Sequence, residues 1–330
     1  MTGNPTMNDV AREAGVALKT VSRFVNGETN INPVLAGRIA DAISALGYRR
    51  NLAAASIRPG WTSKTIGLII SDLANPYYSA LTSAIESFAR ERGYLVISSS
   101  SDELGTQFDR LVDRLMEQRV DGLIVVPPRD SGRPWSAVTP PIPPLVFVDR
   151  PADHPQADVI LADNAGGARA ATAELLAHGR RRVAFVGDAL SISTMRERHA
   201  GYRAALDVVG IPVDSALVRT DAHSSRQAAV AVAELLATTD ADAVFAANNR
   251  ASVGALLAFR DAGRRLPLIG FDDFEAALVS SPGVSVVSHD IAEMGRRAAE
   301  LILDRLAGSD REPATLVLPT RLVLRGSERI

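Results

Sequence analysis

Several polar residues far apart in the chain share one position: each closes or follows an apolar run of strand type. Asp149 and Arg150 stand at the end of Leu145–Asp149, Asn248 follows Ala243–Ala247, and Asp272 follows Leu266–Phe271. Arg198 lies on a helical segment after a run that ends at Gly187. In open α/β sheets, ligands bind beyond the carboxyl ends of the strands. Carboxylates accept, guanidinium forks donate and an amide does both, so this set satisfies both roles of every hydroxyl on a sugar. Tyr77 and Tyr78 add aromatic faces for the apolar side of a pyranose or furanose ring. Carboxylates at strand ends also cap helices. Asp273 is read as such a cap, and Asp72 as cap or ligand.

A different chemistry gathers near the N-terminus, in Ala17-Leu18-Lys19-Thr20-Val21-Ser22-Arg23. This stretch reads as the second helix of a helix-turn-helix, the element that lies in the DNA major groove with its N-terminal residues at the base edges. Lys19 and Arg23 are one turn apart and share a face. The Arg23 fork can donate twice to guanine O6 and N7, a contact worth about 1–3 kcal/mol of discrimination. Leu18 offers apolar contact to a thymine methyl, and the hydroxyls of Thr20 and Ser22 suit phosphates or bases. Val21 and Val25 are core. Charge agrees: residues 1–60 carry +3, the remainder −5, a basic head on an acidic body.

The elements that must hold these residues differ in the two parts. Thr6 to Asp9 fits a capping box before a first helix that ends at Gly15. A second helix is expected over about Leu18–Val25. A third opens at Asn32 with Pro33 in its first turn and stops at Gly47, with Leu35, Ile39, Ile43 and Leu46 on one face. Asn51–Arg58, closed by Pro59-Gly60, reads as a conditional helix and linker, since an isolated turn or two is marginal in water. From Thr65 the pattern becomes strand, helix, strand, in two series, which implies two doubly wound lobes with parallel sheets. The Pro140–Pro144 run reads as an extended lead-in to a strand. Apolar residues at 46% and charged residues at 22% are globular composition. No apolar run approaches the ~18–20 residues that span a bilayer, and the N-terminus has no secretory pattern, so the expected location is cytoplasmic. Cysteine is absent, which removes thiolate metal sites, iron–sulfur clusters and thiol nucleophiles. No His/Glu metal cluster appears, and Gly166-Gly167 alone is no dinucleotide fingerprint. Neither cofactor nor metal is expected.

Residues 7–27, MNDVAREAGVALKTVSRFVNG, closely resemble the headpiece of the LacI family of bacterial transcription regulators. The resemblance continues through Ile31-Asn32-Pro33, Leu46-Gly47-Tyr48 and Asn51. It resumes in Ile66–Ile70, Asn75-Pro76-Tyr77-Tyr78, Arg119–Ile124, Val148-Asp149-Arg150, Arg198–Tyr202, Gly270–Asp273 and Arg321–Ser327. It implies a small all-α helix-turn-helix domain (1–50), a hinge helix (51–60) and an α/β, two-lobed domain (61–330) like the periplasmic sugar-binding proteins. The first lobe would take about 61–162 and 291–318, the second about 163–290 and 319–330. The resemblance adds Thr6, Asn26, Arg50, Asn51, Ala54 and Ile57 to the DNA-facing set, Ile57 as the minor-groove wedge. It places Asn75, Tyr77, Tyr78, Asp149, Arg150, Arg198, Asn248, Asp272 and His289 around an effector. The chain also departs from the family pattern. Ala17 replaces a capping Ser or Thr, Ala54-Ala55-Ser56-Ile57 replaces Ala-Arg-Ser-Leu, Asn249 replaces an aspartate, and Ala222 replaces an aromatic.

The implied function is a homodimeric regulator, a repressor of a carbohydrate operon, that reads a pseudo-palindromic operator and responds to a small sugar. The charges of Asp149, Arg150, Arg198 and Asp272 cancel in pairs, which predicts a neutral sugar rather than a phosphate or a purine. Arg198→Ala is expected to abolish the ligand response and leave operator binding intact. Two other classes compete. A free-standing sugar receptor would need export and has no use for a helix-turn-helix. A glycosidase would use Asp149 and Asp272 as an acid–base pair, but nothing in the sequence activates a nucleophile.

Overall fold

The computed structural model describes residues 5–49, 62–129, 133–135 and 142–330. They fall into two compact units divided between Ser63 and Lys64. The hinge positions Arg50, Asn51, Ala54 and Ile57 lie outside the described residues.

The first unit holds three helices, α1 (Met7–Ala14), α2 (Leu18–Val25) and α3 (Pro33–Leu46). The Thr6 hydroxyl accepts from the Asp9 amide while the Asp9 carboxylate accepts from the Thr6 amide, a complete capping box. Gly15 and Gly47 end α1 and α3 in the left-handed conformation, where a side chain is strained. Asn32 caps α3 through the Val34 amide, with Pro33 just inside. Val10, Ala11, Ala14, Val21, Ile39 and Ala42 form a small core. Its outer face keeps Thr6, Leu18, Lys19 and Asn26 exposed.

The second unit contains two six-stranded sheets. The first is ordered β2-β1-β3-β4-β5-β11, from Thr65–Ile70 (β1), Leu95–Ser100 (β2), Gly122–Val125 (β3), Leu145–Val148 (β4), Asp158–Ala162 (β5) and Thr315–Leu318 (β11). All its pairings are parallel. The second is ordered β7-β6-β8-β9-β10-β12, from Val183–Val186 (β6), Val218–Arg219 (β7), Ala243–Ala246 (β8), Leu268–Phe271 (β9), Ser285–Ser288 (β10) and Arg321–Val323 (β12). It departs from the all-parallel expectation at one edge, where β12 runs antiparallel to β10. The chain re-enters the second sheet directly from β11 across Pro319-Thr320, with no helix to turn it around.

Central strands are buried on both faces, as crossover helices require. In the first lobe, Tyr77, Leu81 and Ile85 of α4 (Pro76–Glu91) and Met294, Ala298 and Ile302 of a late helix, Ile291–Leu306, pack on β1, β3, β4 and β5. Phe108 of α5 (Gly105–Glu117), Trp135 and Phe147 fill the opposite face. In the second lobe, helices Asn164–Ala177 (α6) and Ser193–Val208 (α7) cover one face. Gly201 makes this possible, since a Cβ there would collide with the Ala165 carbonyl.

Candidate functional site: an effector cleft and a headpiece face

The strand-end aspartates set the geometry. Asp149 follows β4 with φ 68° and Asp272 follows β9 with φ 66°, both in the left-handed region that asparagine and aspartate tolerate better than other side chains. This backbone turn directs each carboxylate into the cleft between the two lobes, whose lining includes Asn75, Tyr77, Tyr78, Arg150, Arg198 and Asn248.

On the first-lobe side, Tyr77 Oη donates to Asp149 Oδ1 and Tyr78 Oη to Asp149 Oδ2, both at 3.0 Å. The rings meet edge to face. Burial, reinforced at Tyr77 by the Asp149 charge, pushes the Tyr77 phenol well above its ordinary range. Burial does the same to Tyr78 in spite of the nearby Arg150 charge. Both hydroxyls therefore stay protonated and donate. Arg150 bridges Tyr78 Oη at 3.1 Å and Glu103 at 2.8 Å. Burial alone would raise the Glu103 carboxyl, but Arg150 and hydrogen bonds from Arg150, Ser71 and the Arg129 amide bring it below the usual range.

On the second-lobe side, Arg198 donates to both oxygens of Asp272 at 3.0 and 3.3 Å, to the Ala247 carbonyl at 2.7 Å and to Asn164 at 2.8 Å. Its guanidinium stacks 3.6 Å from the Phe271 ring centroid. Asn248 is the N-cap of helix Asn249–Ala262, and its carbonyl oxygen is taken by the Ala251 amide.

The structure gives His289, Asp273 and Asp72 more particular surroundings. His289 is buried at the crossing between β10 and helix Ile291–Leu306, and it is not among the cleft-lining residues. It sits behind Tyr77, with Nε2 3.4 Å from Tyr77 Oη. Burial lowers its pKa from the ordinary histidine value. Asp273 is not simply a helix cap. It accepts from the Phe274 amide and forms a two-point pair with Arg325 at 2.6–2.8 Å. Asp72 serves in a turn, through the Ala74 amide, and in an ion pair with Arg250 across the cleft.

Ser71, Glu103, Asp188 and Arg250, shortly after strand ends, were not singled out from the sequence, and Asn249 was noted there only as replacing an aspartate. The rule that found Asp149 and Asp272 would have found most of them if applied to every strand. Two of them, Asn249 and Arg250, join the lobes. Asn249 Nδ2 donates to Asn75 Oδ1 at 2.7 Å, and Arg250 pairs with Asp72. Between these bonds the cleft retains a cavity of about 60 Å³, room for a few waters and far below the ~300 Å³ of a small-molecule site. A ring enters only if the cross-lobe bonds part.

On the headpiece, Ala17 provides no side-chain cap for α2, leaving its first amides open to an anion. Arg23 does not stand free. Its Nε donates to Glu28 at 2.6 Å and its Nη2 to Asn30 at 2.5 Å.

Comparison with known proteins decides what these two sites belong to. The sequence model of bacterial regulatory proteins of the lacI family matches residues 6–51. That of periplasmic binding proteins and the sugar-binding domain of the LacI family matches residues 63–325. The chain belongs to the LacI family. Its relatives in that family include the HTH-type transcriptional regulator CelR of Thermobifida fusca, 34% identical over 98% of each chain. Another is GalS of Salmonella typhimurium, 32% identical over 98% of this chain and 96% of that protein. Among solved structures, a CelR–cellobiose complex matches with TM-score 0.74 and 32% identity over 98% of this chain and 99% of that one. A Lac repressor dimer bound to operator and the anti-inducer ONPF matches with TM-score 0.85 and 25% identity over 99% and 100%. This LacI-family chain is thus akin to transcription regulators rather than to enzymes, and among its described residues no helix is long and apolar enough to cross a membrane.

Proposed function

We propose that this chain is a sequence-specific transcriptional regulator, a repressor of a sugar uptake or catabolism operon, controlled by a small sugar held between its lobes. The carrying observation is the pairing in one chain of a helix-turn-helix, with Lys19 and Arg23 on α2, and a two-lobed cleft lined by Asp149, Arg150, Arg198 and Asp272. Relatives support it, since one is solved with cellobiose and another on its operator. It works in the cytoplasm, where its DNA lies.

A homodimer reads a pseudo-palindrome, one headpiece per half-site. Arg23 exchanges Glu28 and Asn30 for a guanine edge, Lys19 and the open start of α2 meet phosphates, and Thr20, Ser22, Asn26 and Thr6 flank them. Arg50, Asn51, Ala54 and Ile57 complete the contact at the operator centre. In the cleft, Asp149 and Asp272 accept from ring hydroxyls, and Arg150, Arg198 and Asn248 donate to them. Tyr77 and Tyr78 shape the floor, and Asn75 senses closure through Asn249. A ligand that binds one arrangement of the lobes better than the other shifts the population, and operator affinity with it.

Selection of bound sites from genomic DNA, followed by gel-shift titration with a sugar panel, tests this. The expected outcome is a palindromic consensus near a sugar operon and release by one sugar class. A protein that binds no DNA, or binds without sequence preference, contradicts it.

A further inference from the structure

Among the described residues the chain passes between the lobes three times: after β5, after β10, and from β11 to β12. In each sheet those strands lie together at one edge, β5 with β11 in the first and β10 with β12 in the second. The crossings make that edge a hinge. The opposite half of each sheet, holding β3, β1 and β2 in one lobe and β8, β6 and β7 in the other, carries no crossing among the described residues. Side-chain contacts across this free half therefore act on the longest lever about the hinge.

Two polar contacts span it. Asp72, in the turn after β1, pairs with Arg250, in the first turn of helix Asn249–Ala262, and beside them Asn249 donates to Asn75. Arg129, after β3, sets its Nη1 3.3 Å from Nδ1 and 3.5 Å from Nε2 of His223, after β7. His223 Nδ1 donates in turn to Asp188, after β6. Arg250 links the two contacts, since its Nη1 donates to the His223 carbonyl at 3.2 Å. The Arg129 amide donates to Glu103 at 3.2 Å, and Glu103 holds Arg150, so the second contact is anchored on the first-lobe wall.

The members of this network stand differently toward a ligand. Asp188 and Arg250 line the cleft, whereas Asp72, Arg129 and His223 are not among its lining residues. A sugar hydroxyl that donates to Asp188 or accepts from Arg250 takes a partner from the contact. The Asp72 and Arg250 side chains are 27% and 33% exposed, so water and salt reach the pair and its hold is modest. A releasable contact needs that weakness. With both contacts made, the cleft is too small for a ring.

We propose that these residues form a clasp that closes the ligand-free lobes, and that the effector works against it. By taking Asp188 and Arg250 the effector opens the free edge, so the occupied cleft is wider than the empty one. Asp72, Arg129 and His223 then set effector affinity without lining the site, because the apparent Kd is the intrinsic one divided by the fraction of chains with the clasp open. The effector's part rests on the regulator reading above; closure of the empty lobes does not.

The test measures a distance across the free edge. Cysteine is absent from the chain, so Thr106→Cys and Arg226→Cys place spin labels at those two positions alone. Both are exposed, in the first turns of helices Gly105–Glu117 and Ser225–Thr238, which follow β2 and β7. Pulsed electron resonance on the full chain, diluted in excess unlabelled chain so that only distances within one chain count, reads their separation without ligand. The expected result is one narrow distance, which becomes longer by several ångströms and broader after Asp72→Asn with His223→Ala. Asparagine keeps the acceptor for the Ala74 amide, and both side chains are partly exposed, so the variant should melt within a few degrees of the wild type. Salt gives a second reading without substitution. Raising sodium chloride from about 0.1 M to about 1 M shortens the screening length from about 10 Å to about 3 Å, which should lengthen the wild-type distance and leave the variant's unchanged. A variant that keeps the narrow distance, a wild type that ignores salt, or a broad distribution in the ligand-free wild type overturns the clasp and leaves the regulator reading standing. Failure to bind any DNA strikes the regulator reading instead and leaves the measured distances as they are.

Discussion

The two lobes place the same device at the cleft and complete it differently. Asp149 and Asp272 both follow a central strand in the left-handed conformation, a backbone state that costs roughly 1–2 kcal/mol outside glycine. In the first lobe the carboxylate accepts hydrogen bonds from two neutral phenols, Tyr77 and Tyr78, and meets the Arg150 guanidinium only at 3.5 Å, without a hydrogen bond. In the second it is met by the Arg198 fork, itself held by Asn164 and the Ala247 carbonyl. Neutral donors and a longer approach from Arg150 leave more of the Asp149 charge to a ligand. The charged fork largely spends the charge of Asp272 on structure. One half of the cleft is thus built to respond and the other to hold still.

The largest expected effect tests the rigid half. Arg198→Ala leaves the Asp272 carboxylate buried and unpaired, a change that destabilises by about 3–5 kcal/mol. A denaturant titration should show it as a loss of midpoint, and operator binding should fall with the folded fraction. This departs from the sequence-based expectation of a clean variant that merely fails to release. A loss under 1 kcal/mol would mean that the second lobe is no more committed than the first.

On the responsive side, Tyr77→Phe and Asp149→Asn should each cost less, about 1.5–3 kcal/mol for losing a hydrogen bond to a charged group and under that for the isosteric amide. Asparagine keeps the left-handed turn. Asp149→Asn should therefore stay folded while its effector affinity drops, and calorimetry on the folded variant separates the two. If Asp149→Asn unfolds as readily as Arg198→Ala, the contrast between the lobes disappears.

A pH titration sharpens the same contrast. His289 lies behind Tyr77, and burial lowers its pKa, with Arg198 helping and Asp272 and Asp149 opposing. A histidine kept neutral by the fold takes up its proton more readily when unfolded, so its contribution is present above ~6.5 and is lost as pH falls through that value. Burial shifts His154 and His199 in the same direction. Melting temperature should decline between about pH 7 and pH 5, and His289→Gln should flatten part of that decline. An unchanged slope would remove His289 from the account.

The strands, their grouping into two lobes and the strand-end carboxylates were legible in the sequence because buried parallel strands read as apolar runs and ligands sit where those runs stop. The headpiece was legible down to single caps, since Thr6, Asn32, Gly15 and Gly47 act within a few residues of themselves. What a one-dimensional reading misses is contact between distant segments. Nothing near Asp72 announces Arg250, and nothing near Glu103 announces Arg150, because 178 and 47 residues separate the partners. His289 has the right residue type at the end of β10, yet its burial behind Tyr77 depends on a helix of the other lobe. Antiparallel β12 was missed for the same reason: its direction is set by where the chain last crossed between lobes.

The smallest effect on stability belongs to the headpiece, and there the lesson from the lobes is turned around. Arg23 also faces a carboxylate, but Glu28 is 45% exposed, and such pairs contribute at most about 1 kcal/mol. Glu28→Ala should leave the melting temperature nearly unchanged. Its effect should appear on DNA. With Nε held by Glu28 and Nη2 by Asn30, Arg23 reaches a guanine only by giving up a partner or by presenting its remaining Nη edge. Removing Glu28 deletes that competitor and one negative charge beside the phosphates, so binding to random DNA should tighten. If Glu28 also fixes the angle of the fork, discrimination at the guanine should weaken by part of the 1–3 kcal/mol a bidentate contact supplies. Gel shifts on operator and on a single-base variant, at two salt concentrations, measure both quantities. Tighter binding with full discrimination would make Glu28 a simple competitor, and unchanged binding on both DNAs would remove Arg23 from the base-reading set.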